Sequence, residues 1–240
     1  MKARPRPRPA AVVLLSGGMD SATCLAIAAR RGPVHALSVE YGQRHLREVR
    51  SARALARHYQ VASYTAVRLP VGPLLDSALT HGDRPLPTAR ARRSGGIPAT
   101  YVPARNTLLL ALALGFAESH RARTIYIGIN AVDYSGYPDC RPEYLRAFRR
   151  LARLATREGV EGRPTQLRAP LLRLSKADIV RLGERLGVPW SLTWSCYAGG
   201  ARPCGRCDAC RLRRRGFAEA GIPDPVVARG LRPDRLTRAA

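Results

Sequence analysis

The sequence predicts an α/β protein built on a doubly wound, mainly parallel sheet, and three observations carry that reading. Short apolar runs alternate with segments of helical spacing from about residue 11 to residue 186, the pattern of repeated βαβ units with helices on both sheet faces. The chain has 240 residues and 45% apolar content, enough for one such domain and a small appendage but short of two full domains. The first apolar run, Ala11-Val12-Val13-Leu14-Leu15, ends in Ser16-Gly17-Gly18-Met19-Asp20-Ser21, where a buried strand turns sharply into a helix.

The elements follow in order. Strands are expected at 11–15, 34–39, near 63–69, 124–129 and near 165–169, with helices at 21–31, 43–58, 105–119, 141–156 and 175–186. The first helix, SATCLAIAARR, has helical spacing and no internal breaker. The last starts at a capping signature, Ser175 with Asp178 three residues on, and buries Ile179, Leu182 and Leu186. Lys176 at that amino end is locally unfavourable by about 0.3–1 kcal/mol, so a role beyond the helix should favour it. The segment 70–104, with eight Pro or Gly residues between Pro70 and Pro103, breaks the rhythm and reads as a lid over substrate.

The ends differ in character. Residues 1–9 alternate arginine with proline and read as a disordered basic arm, the main domain spans 10–190, a metal module 191–221, and residues 222–240 form a loose tail. No run approaches the roughly 18 to 20 apolar residues of a membrane span and the amino terminus lacks a signal-peptide pattern, so a cytoplasmic protein with no membrane partner is expected. Net charge is +24, yet only two of the 41 basic residues, Lys2 and Lys176, are lysines. The arginines spread over nearly every segment, so the charge reads as a solvated surface that attracts small anions, and a nucleic-acid partner is not expected.

Chemistry concentrates in three places. Glycines let the 16–21 backbone approach a ligand closely, and the free N–H groups at the following helix start suit a phosphate. Cys196, Cys204, Cys207 and Cys210 have the spacing C-x7-C-x2-C-x2-C, which offers four soft ligands and no open position, as a structural Zn²⁺ requires. An iron–sulfur cluster takes the same thiolates, and a disulfide framework is the bland alternative. Cys24 reads as a small buried hydrophobe. Asp133, Asp139 and Cys140 lie in a Tyr- and Gly-rich stretch just beyond a strand, at the edge where ligands of such sheets bind.

These residues resemble a known family. "SGGMDS" after a strand matches the pyrophosphate loop of the N-type ATP pyrophosphatases, of the adenine-nucleotide alpha-hydrolase-like fold. Together with "YGQRH" at 41–45, "YVPARN" at 101–106, "DYSGYPDCRPEY" at 133–144 and the four cysteines, it resembles the 7-cyano-7-deazaguanine synthases of queuosine biosynthesis. The similarity runs from about residue 11 to residue 215. Leu15 and Ala22 depart from it, standing where phenylalanine and threonine are frequent.

The resemblance implies an ATP-dependent ligase that converts 7-carboxy-7-deazaguanine and ammonia to 7-cyano-7-deazaguanine, through an adenylated acid, an amide and an adenylated amide. It implies structural Zn²⁺, ATP with Mg²⁺, and a homodimer. It assigns the ATP site to Leu15, Ser16, Gly17, Gly18, Met19, Asp20, Ser21, Ala22, Thr23, Cys24 and Leu25. It gives catalytic roles to Asp20, Ser21, Lys176 and Arg105, and substrate contacts to Tyr41, Gln43, Arg44, Asn106, Asp133 and Asp139. Asp20 is expected at Mg²⁺, since a bare carboxylate there would repel a polyanion. Two other readings stay open: a tRNA-thiolating enzyme of the same loop superfamily, which needs a catalytic cysteine pair or an open cluster, and a zinc protein that only binds nucleic acid.

Overall fold

The computed structural model describes residues 8–43, 46–80, 97–134 and 136–228. Its five strands are β1 (Ala11–Leu14), β2 (Val34–Glu40), β3 (Ser63–Arg68), β4 (Thr124–Tyr126) and β5 (Gln166–Arg168), in the order β3-β2-β1-β4-β5 and all parallel. The register is regular, with Val12 opposite His35 on one side and Ile125 on the other. Strand order reverses beside β1, because the chain winds outward through β2 and β3 and then returns to β4. Such a reversal opens a crevice at the carboxyl ends of the strands, and residues 16–21 leave β1 there.

Alternation along β1 divides the core. Ala11, Val13 and Leu15 face one layer, with α1 (Met19–Ala29), α2 (Arg47–His58) and α7 (Lys176–Leu186). Val12 and Leu14 face the other, with α3 (Arg105–Ser119) and α5 (Pro142–Leu154). Short helices α4 (Ala131–Tyr134) and α6 (Arg157–Val160) complete the connections. Helix α1 is built almost wholly of small and apolar residues, and eight of its eleven are buried, as its place between the sheet and α7 requires. Helix α7 has the expected capping box, Ser175 accepting from Asp178 N–H and Asp178 accepting in return.

Three expectations are corrected. The fourth strand ends at Tyr126 rather than 129, although Ile127 N–H still donates to Arg168 O at 3.0 Å. The cysteine region contains a helix that spacing did not indicate, α8 (Asp208–Ala220), followed by α9 (Pro225–Ala228). The loose tail does not begin at Ile222: Asp224 is buried against Arg213 with Nε 2.7 Å from Oδ2, and Val226 packs on the cysteines. Residues 1–7 of the arm, 81–96 of the 70–104 connection and 229–240 of the tail lie outside the described residues.

Candidate active site

A cleft of about 260 Å³ opens at the carboxyl ends of β1, β2 and β4. Ser16, Gly18, Met19, Asp20 and Ser21 form its floor. Gly17 turns the chain with φ +90°, and a Cβ there would stand 2.2 Å from Glu48 O, so only glycine fits. Ser16 and Ser21 hydroxyls lie 3.1 Å apart. Ala22 N–H makes the first α1 bond, to Gly18 O at 3.0 Å, leaving the N–H groups of Met19, Asp20 and Ser21 over, as at every helix start. They supply partial positive charge where the loop meets the cleft.

Behind the loop stands a polar cluster. Lys176 Nζ donates to Asp20 Oδ2 at 2.6 Å. Asn130, wholly buried, donates from Nδ2 to Asp20 Oδ2 at 3.2 Å and to Asp133 Oδ2 at 2.5 Å. Burial alone would lower the Lys176 ammonium, but the carboxylates of Asp20 and Asp133 outweigh it and hold the pKa above its ordinary value. Burial pushes the Asp133 carboxyl up, helped by Asp20 and opposed by Lys176. Asp20 Oδ1 is buried with no hydrogen-bond partner among the described residues. A buried carboxylate oxygen left over in this way is a fitting ligand for a hard cation.

The opposite wall belongs to the second and third resemblance blocks. Arg105 begins α3, its guanidinium 5.8 Å from the centre of the Tyr41 ring and its Nη1 3.4 Å from Tyr41 OH. Gln43 Oε1 accepts from Tyr41 N–H at 2.8 Å, which shapes the turn after β2. Arg44 lies outside the described residues. Glu48, from α2, lines the same wall, and burial pushes its carboxyl up to about 7 against the pull of Arg105.

The remaining expected residues are placed differently. Asp139 is 6% exposed and does not line the cleft; its Oδ2 accepts from Asn106 N–H at 2.9 Å and so caps α3. Asn106 reaches the cleft wall, but its amide donates to Asp139 O at 3.2 Å and Cys140 Sγ at 3.1 Å. Ala22, Thr23, Cys24 and Leu25 have no solvent exposure, because they sit on α1 between sheet and α7, and Thr23 Oγ1 donates to Met19 O at 2.9 Å. Leu15 is buried at the head of the loop and touches the cleft. Cys24 and Cys140 belong to cores on opposite sheet faces and form no pair; burial raises both thiols.

Sequence reasoning passed over Asn130, Glu48, Trp194 and Tyr197, all but the first of which line the cleft. Asn130 had a signal, since it follows TIYIGI at the carboxyl edge where ligands bind. Trp194 and Tyr197 flank Cys196 and had none.

Cys196, Cys204, Cys207 and Cys210 converge, with every sulfur within 4.8 Å of the others and Cys204 Sγ 4.0 Å from Cys210 Sγ. Four sulfurs about 2.3 Å from a tetrahedral ion stand roughly 3.8 Å apart, so the cluster fits a metal. Among the described residues it is the one such cluster of three or more ligands.

The family model described as queuosine biosynthesis protein QueC matches residues 10–221. The chain belongs to the QueC family. A protein of Anaeromyxobacter sp. (strain Fw109-5) named 7-cyano-7-deazaguanine synthase is 58% identical over 226 residues, covering 92% of this chain and 97% of that protein. One of Azoarcus sp. (strain BH72) with the same name is 56% identical over 221 residues, covering 91% and 96%. Among solved structures, NMN synthetase from Francisella tularensis aligns with 91% of this chain and 79% of its own at 14% identity and a TM-score of 0.46. No described helix is long and apolar enough to cross a membrane.

Proposed function

We propose that this chain is an ATP-dependent 7-cyano-7-deazaguanine synthase, converting 7-carboxy-7-deazaguanine and ammonia to the nitrile. Membership of the QueC family supports the reaction. The observation that carries its location is the Lys176–Asp20–Asn130–Asp133 cluster behind the 16–21 loop.

The chemistry demands what this cluster offers. A carboxylate oxygen is a poor leaving group, so it attacks the α-phosphorus of ATP and expels pyrophosphate. Ammonia then displaces AMP to give the amide, whose oxygen is activated in the same way before AMP and a proton leave as the nitrile forms. The N–H groups at the start of α1 and the hydroxyls of Ser16 and Ser21 face the expelled pyrophosphate and hold its charge. Lys176 neutralises Asp20 in the resting site and stands ready to share that charge with phosphate. Magnesium, when bound, lowers the negative charge of the phosphates; Asp20 through Oδ1, with Asp133 beside it, would hold it. Arg105 and Tyr41 provide a cation and a flat face on which a planar base or the adenine ring can rest.

At the cysteine cluster we propose structural zinc, whose four thiolate ligands leave no open position for substrate. A thiolating enzyme needs a second reactive cysteine, and Cys24 and Cys140 are separated by the sheet.

The test incubates the purified chain with Mg-ATP, ammonium and 7-carboxy-7-deazaguanine and follows pyrophosphate and the mass of the base. Nitrile formation that disappears in Asp20→Ala is the expected result. ATP left intact with that acid, but cleaved when tRNA is added, would sink the reading.

A further inference from the structure

Two contacts tie the cysteine-bearing part of the chain to the ATP loop. The backbone N–H of Trp194 donates to Gly17 O at 2.9 Å, and its buried ring is covered by the Arg47 guanidinium 4.6 Å from the ring centre. Gly216, within α8, packs on the first residue of α7 so closely that a Cβ would lie 2.8 Å from Lys176 Cβ and 3.2 Å from its carbonyl carbon. Lys176 is the residue whose ammonium meets Asp20.

Arg213, one turn before Gly216, joins the two contacts. It is 4% exposed and uses every N–H of its guanidinium. Nε and Nη2 bond the Asp224 carboxylate at 2.7 and 2.9 Å. Nη1 bonds Thr193 Oγ1 at 2.7 Å and Ser195 Oγ at 3.4 Å, and Nη2 also bonds Trp190 O at 3.3 Å. Moving segment 190–195 away from α8 would leave buried donors unpaired, which is costly. Cys207 precedes α8 and Cys210 lies in its first turn, so the metal cluster grips the other end of the same helix.

We infer that α8 is a positioning helix for the ATP site, in which Gly216 sets the backbone that carries the Lys176 ammonium and Arg213, through Trp194, sets the Gly17 carbonyl. The inference rests on the reading that the 16–21 loop binds ATP. A lysine head on a four-carbon stem is restrained only as well as its own backbone is, and the absent Cβ of Gly216 is what brings α8 flush against that backbone. Metal loading is then felt at both edges of the loop and not in stability alone.

The full metal-loaded chain is compared with Gly216→Ala and Arg213→Lys, with Arg211→Ala, exposed on the same helix, as the control. Metal content, unfolding midpoint, Mg-ATP affinity by calorimetry, and kcat and KM of pyrophosphate release are measured on the folded protein. Gly216→Ala is expected to retain metal and lose kcat on the order of tenfold or more, with KM for the base within about twofold, as small displacements of a catalytic group do. Arg213→Lys keeps a cation for Asp224, but three donors on one nitrogen cannot also serve Thr193, Ser195 and Trp190; Kd for Mg-ATP should rise about tenfold, with altered near-ultraviolet dichroism of the tryptophans. A purely structural role would lower the unfolding midpoint and leave these constants where they were, and that outcome overturns the inference. If neither variant folds, chelation of the wild-type metal decides it, because unchanged ATP affinity in the metal-free chain is equally fatal. Wild-type protein that fails to bind Mg-ATP would instead defeat the ATP reading itself.

Discussion

Lys176 Nζ and Asp20 Oδ2 meet at 2.6 Å although 156 residues separate them in the chain. The pair joins the amino ends of α7 and α1, two helix starts whose partial positive charges already favour an anion. Lys176→Met leaves a residue of similar length at the start of α7 and removes the cation. It should lower kcat for pyrophosphate release by about 10²–10³, the range for losing one preorganised electrostatic group, while Lys176→Arg recovers part of it. Steady-state pyrophosphate assays on both variants check this.

Glu48 makes stability depend on pH. Its folded-state pKa of about 7 stands above the ordinary carboxylate value because burial penalises the charged form. A raised pKa means stability fully present below the unfolded value and lost as pH rises through the folded one. Glu48→Gln should therefore match wild type at about pH 5 and be the more stable at about pH 8, as read by thermal unfolding across that range. A difference of the same size at both ends would show that Glu48 is not the titrating group.

Asp139 caps α3 through Asn106 N–H. Asp139→Ala should cost about 1–2 kcal/mol of stability, as lost helix caps do, and leave KM for ATP and for the base within about twofold. Denaturant unfolding and initial rates separate this from a substrate contact, which would raise KM without that loss of stability.

The cysteine cluster should hold about one tetrahedral ion per chain. Cys204→Ser is expected to release it and to lower the unfolding free energy by several kcal/mol, since binding at a structural site is folding free energy. Metal analysis and denaturant unfolding measure the two effects. Full metal retention in this variant would rule out the fourfold site.

The legible parts of the site share a cause. SGGMDS announces itself because a strand, a tight turn and a helix start are local events, each encoded within a few residues. Cys196 to Cys210 are legible for the same reason, as close spacing lets one turn of backbone present neighbouring thiolates. Asp139 reads from sequence as a residue of the ligand edge, yet it lies buried beside the cleft and caps α3, because which group an aspartate faces depends on where α3 begins. Asn130 went unnoticed because a lone asparagine carries no spacing signature, and its two carboxylate partners come from different elements.

The sequence by itself determined the alternation of strands and helices, the loop after β1, the metal-binding spacing and, through five motif blocks, the family. Those are properties of short segments, and short segments are governed by periodicity, turn chemistry and ligand spacing. Only the tertiary structure decided that Lys176 answers Asp20, that Asp20 Oδ1 is left over, and that α8 lies flush against Lys176 at Gly216. The two pairings join residues 40 and 156 positions apart in the chain, and nothing short of packing the helices on the sheet brings them within the few ångströms over which hydrogen bonds and ion pairs act.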